Sequence, residues 1–145
     1  RVPASPRPLL FRATTTPARR PPEFVQGRTP PTGPPDLGWF GPDGRPMELN
    51  DWQDGERRTL GMWIDGAAVR SHPPPPATDS WLVVLHAGAP PIMITLQGPE
   101  YGERYEPVLD TGSPDGVPSH PRNRRPGTRM TIPARTLLVF RAVRS

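Results

Sequence analysis

The chain is 145 residues long, room for one ordinary domain. Only 33% of it is apolar, 25 residues are Pro and none is Cys, which excludes a large core, disulfides and thiolate metal sites. The net charge is +4 and all 18 basic residues are Arg. No apolar run approaches the ~20 residues of a membrane span, and no signal-peptide pattern is visible, so the expectation is a soluble, cytoplasmic protein. Because the sequence starts at Arg1 rather than Met, the true N-terminus is expected upstream.

Taken in order, residues 1–35 carry ten prolines. Each removes a backbone donor and biases its predecessor away from helix. Leu9–Phe11 and Phe24–Val25 are too short for elements of their own, so 1–35 reads as an irregular Pro-rich arm or linker. Residues 36–58 form a Trp-rich connecting segment. Gly41-Pro42-Asp43-Gly44 is a turn signal, with Pro suited to the second position and Gly to the fourth. Asn50 or Asp51 caps a short helix beginning near Trp52. Trp39, Phe40 and Trp52 have two readings. They pack against a neighbouring surface, or they offer aromatic platforms on which pyranose rings stack.

Residues 59–145 carry the strand signals. Leu60–Ile64 reads as a strand stopped at Asp65-Gly66. Pro73–Pro76 is a polyproline loop. Trp81–Leu85 is an unbroken apolar run, which suits a strand covered on both faces, and Ile92–Gln97 alternates. The Pro/Gly turn between them predicts a hairpin at the centre of the core. Arg104–Leu109, with Pro107, suits an edge strand. Arg129–Ile132 and Thr136–Ala142 follow a long polar loop, with Leu138 and Phe140 on one face of the last strand. About six short strands and almost no helix predict an all-β fold, a small antiparallel β-sandwich preceded by the arm.

Chemistry is harder to find. His72, His86 and His120 make no metal-binding spacing, so no metal and no cofactor is expected. Nucleophile elbows, phosphate loops and dinucleotide fingerprints are absent. Most carboxylates sit beside Gly or Pro in turns, and no two are set as a glycosidase pair, so no catalytic residue is assigned. Arg122, Arg124 and Arg125 form a basic cluster, yet no aromatic is interleaved with it. An Arg-rich polyanion or nucleic-acid binder therefore stands behind the simpler reading of a coding bias towards Arg.

The stretch DLGWFGPDGRPMELNDWQDGERRTLGMWIDG, Asp36–Gly66, resembles a segment of bacterial glycogen debranching enzymes, isoamylase-like members of the α-amylase clan. The resemblance rests on Trp39, Phe40, Pro42, Asp43, Gly44, Met47, Asp51, Trp52, Arg58–Met62, Asp65 and Gly66. It continues in DSWLVVLHAGAPPIMITL, YEPVLDT and RTLLVFR, and upstream in ARRPPEFVQGR. It implies the tail of such an enzyme: the exit from the catalytic barrel, then the C-terminal β-sandwich. The barrel carboxylates that cleave α-1,6-glucosidic branch links precede this region in the family. The chain is therefore expected to be a non-catalytic fragment or accessory domain. Its implied partners are α-glucan (glycogen) through the intact enzyme and a separate barrel-bearing polypeptide. Gly41 departs from the family pattern, which usually has Arg there.

Overall fold

The computed structural model describes residues 27–31, 33–66 and 79–144. The arm up to residue 26 and the polyproline loop lie outside the described residues. Seven strands and one short helix follow in order: β1 (Leu37–Phe40), α1 (Leu49–Gln53), β2 (Thr59–Ile64), β3 (Ser80–His86), β4 (Ile92–Thr95), β5 (Arg104–Asp110), β6 (Arg129–Ile132) and β7 (Thr136–Val143). The fold is all-β, and every strand pairing is antiparallel.

Five strands form one open sheet in the order β1-β2-β3-β7-β5, and β4 pairs with β6 in a second, two-stranded sheet. The expected hairpin does not form. β3 runs between β2 and β7, and β4 belongs to the other sheet. The reason lies in the connection. His86 is 4% exposed, with Nδ1 2.8 Å from Thr59 Oγ1 and Nε2 2.7 Å from Pro90 O. A carbonyl only accepts, so Nε2 carries the proton and Nδ1 accepts from the Thr59 hydroxyl. That double tether holds Pro90 back against the end of β3, and Pro90 and Pro91 lack the N–H groups a returning strand would donate.

The strands alternate as half-buried strands must. Gly61 and Trp63 on β2, Leu82 and Val84 on β3, and Leu138, Phe140 and Ala142 on β7 all point one way and are buried. Ile94, Leu96 and Ile132 from the small sheet's side join the same cluster, together with Phe40 and Tyr105. Phe40 and Trp63 each meet the Tyr101 ring edge-on, at 5.1 and 5.2 Å. The hydroxyl of Tyr105, itself fully buried, donates to the carbonyls of Gln97 and Gly98. Burial raises the Tyr105 phenol well above its ordinary range.

β1 went unread in the sequence because it is four residues long and contains Gly38. The helix starts at Leu49, before the expected position, and Asp51 Oδ2 accepts from the Glu48 N–H at its entry (2.9 Å). The turn Gly41–Gly44 forms as expected, Gly44 N donating to Gly41 O at 3.0 Å. It also lies along the free edge of β4, where Thr95 N donates to Pro42 O at 2.8 Å. Gly44 has φ +80°, and a Cβ there would stand 2.8 Å from Thr95 O. Left-handed backbone and close approach both demand glycine. Gly44→Ala should therefore cost about 1–3 kcal/mol, read as a lower urea midpoint. Gly55→Ala, which meets nothing within 4 Å, should leave that midpoint nearly unchanged.

Candidate binding surface

Strand alternation separates the aromatic residues singled out above. Phe40 is 1% exposed and fills the core; its ring offers no face to a sugar, and this corrects the expectation that it binds substrate. Trp39 faces the other way and is half-buried. α1 brings Trp52 beside it, with ring centroids 5.7 Å apart and planes at 77°. Trp52 is 52% exposed and Leu49 71% exposed. An edge-on pair presents one open ring face rather than a flat double platform.

A polar pair flanks these rings. Arg57 Nη2 donates to Asp51 Oδ1 at 2.6 Å. Arg57 also crowds Gly41. A Cβ at Gly41 would stand 3.0 Å from Arg57 Nη1, so the Arg57 guanidinium takes the space a larger side chain would need.

Trp39 is one corner of a larger surface that the sequence reading did not identify as a site. In register across the sheet, Leu60 lies beside Leu85 and Leu137, and Met62 beside Trp39, Val83 and Val139. All of them face away from the core. All are partly exposed, Leu85 to 38%. An antiparallel sheet with one face in water normally alternates apolar-in and polar-out. Here both faces of β3 are apolar, and the small sheet covers only one. The signal was the unbroken run Trp81–Leu85.

The charged groups of this face gather at one corner. Glu106 on β5 accepts from Arg141 Nε at 2.8 Å and from Arg104 Nε at 3.2 Å, and Arg141 also reaches Asp79 at 3.8 Å. The hydrogen bonds from Arg141 come first in lowering the Glu106 carboxyl below its usual range, opposed by partial desolvation. A second ion pair lies at the sheet's end. Asp65, 6% exposed, accepts from Ser80 Oγ at 2.9 Å and from Arg144, whose guanidinium sits 5.8 Å over the Trp63 ring.

Both His86 nitrogens are engaged within the fold. Among the described residues, no group of three His, Asp or Glu is placed to hold a metal ion. No described helix is long and apolar enough to cross a membrane. Neither a protein-family model nor a curated protein matches the chain.

The pH sign of the Glu106 corner is fixed by its lowered pKa. Its contribution is complete above the ordinary carboxylate value of ~4.3, and it is lost as pH falls through the lower folded-state value. Glu106→Gln should be less stable than the parent at pH 7. Urea midpoints measured from pH 7 down to pH 3 should then converge, because only the parent has this interaction to lose. Parallel curves would remove Glu106 from the account of acid lability.

Proposed function

We propose that this chain is the C-terminal accessory portion of a glycogen debranching enzyme, not catalytic by itself. In this reading the intact enzyme, in the cytoplasm, hydrolyses α-1,6-glucosidic branch links of glycogen, and this portion is a small β-sandwich. Two antiparallel sheets sharing one core support the sandwich. The observation that carries the accessory role is the apolar outer face of the five-stranded sheet. A domain that caps a larger body needs such a face, whereas a self-sufficient antiparallel sheet does not. The motif behind the resemblance supports the reading too, since Trp39 and Trp52 pack edge-on at the margin of this face and Pro42 and Gly44 form the turn docked on β4.

A second reading, a stand-alone glucan-binding module, draws on Trp52. Its half-exposed ring beside the Asp51–Arg57 pair combines an apolar plate with hydroxyl-binding groups. Among the described residues, an Arg-rich polyanion role draws on no comparable geometry.

Purified chain should release no reducing sugar from glycogen or pullulan; turnover would overturn both readings. Native electrophoresis through glycogen-containing gels separates them. Unchanged mobility is expected of an accessory portion. Retardation that Trp52→Ala relieves several-fold would move the assignment to the binding module.

A further inference from the structure

We propose that the Asp54–Gly55 junction is a modification site, at which Asp54 converts spontaneously to isoaspartate through a succinimide.

Four Asp-Gly pairs occur in the chain: Asp43-Gly44, Asp54-Gly55, Asp65-Gly66 and Asp115-Gly116. In each, the residue after the carboxylate has no Cβ to screen its backbone nitrogen. The reaction requires that nitrogen to reach the aspartyl Cγ, so the peptide unit between the two residues must turn. At three of the pairs the unit is held. Gly44 N donates to Gly41 O at 3.0 Å, and this glycine lies close against Thr95 O. Gly66 N donates to Ser80 Oγ at 3.3 Å, and Asp65 is buried and paired with Arg144. Gly116 N donates to Ser113 O at 3.0 Å.

Gly55 differs. Among the described residues its N–H makes no hydrogen bond. Asp54 and Gly55 are both exposed, and a Cβ at Gly55 would meet nothing within 4 Å. With ψ 101° at Asp54, the Gly55 nitrogen faces away from the carboxyl, so a swing of the peptide precedes the chemistry. The bonds resisting that swing are weak. Asp54 N to Asp51 O spans 3.3 Å and Arg57 N to Asp54 O spans 3.2 Å, both longer than the usual ~2.9–3.0 Å. Asp54 Oδ1 accepts from Glu56 N at 3.0 Å, and Gly55 O accepts from Arg58 Nη1 at 2.6 Å. Both lie at the surface, where water takes their place at little cost.

The step is closed in atoms and electrons. The Gly55 nitrogen bonds to Asp54 Cγ. One Cγ–O bond breaks, and the oxygen leaves as water with the amide proton and the carboxyl proton. Water then adds to one of the two ring carbonyls. Addition at Cγ restores Asp54. Addition at the main-chain carbonyl leaves the chain running through Cγ, with one extra methylene between α1 and β2. The product has the mass of the parent, and it lengthens the link that follows Trp52, the ring set edge-on to Trp39.

This inference is independent of the debranching reading, because it needs neither glucan nor another polypeptide. Purified chain aged for weeks at pH 7 tests it. Peptide mapping with electron-transfer fragmentation locates isoaspartate, and labelling by an isoaspartyl methyltransferase measures its total. The Asp54 peptide should split into two species of equal mass, with an isoaspartyl share several-fold above that at Asp43, Asp65 or Asp115. Ageing in water enriched in oxygen-18 should place the heavy atom in that peptide. Gly55→Ala should slow the conversion several-fold without moving the urea midpoint. In urea, where the fold no longer holds the other three glycines, the four sites should convert at similar rates. Isoaspartate absent from Asp54, a larger share at another Asp-Gly pair of the folded chain, or a preference for Asp54 that persists in urea would each overturn the proposal.

Discussion

A backbone bond outside both ladders ties the small sheet to the rest of this architecture: the Thr95 N–H donates to the Pro42 carbonyl at 2.8 Å. The two-stranded sheet has little to hold it in place by itself, since a lone pair of strands is marginal in water. It gains its position from the core it shares with the larger sheet and from the Gly41–Gly44 turn, which lies along the open edge of β4. Because that turn follows directly on β1, the same contact also orders the segment that brings Trp52 up to Trp39. The aromatic corner and the inter-sheet core are therefore two ends of one constraint.

How much of this could be read from residues varies along the chain. β7 was legible because Leu138 and Phe140 alternate cleanly with partly exposed neighbours, and the short strand β6 was bounded by its turns. β2 and β3 were legible as strands, but their partners were not. Adjacent apolar segments with a Pro/Gly turn between them look like a hairpin. What separates them is a buried His86 holding Pro90 by a side-chain bond, and that cannot be seen in a pattern of apolar and polar positions. β1 fell below the length at which alternation speaks.

The candidate surface divides in the same manner. Trp39 and Trp52 could be picked out by residue type, and they do lie together at the surface. Phe40, adjacent to Trp39, could be assigned to the core only once its face of the strand was known. The apolar outer face had a clear trace in Trp81–Leu85, whose composition asks for cover on both sides. Among the described residues only one of those covers is present. The demand was therefore readable even though the occupant was not.

Neighbouring positions on β5 set opposite limits on the solvent the fold endures. Glu106 points outward and is useful only while ionised; Tyr105 points inward and is accommodated only while neutral, its hydroxyl facing two carbonyls that cannot donate to a phenolate. The first favours the native chain fully above the ordinary carboxylate value and is lost as pH falls through its lowered one, and the second ceases to favour it once an unfolded tyrosine would ionise, near ~10. A single strand thus carries one acid-sensitive and one alkali-sensitive group, one on each side of the sheet.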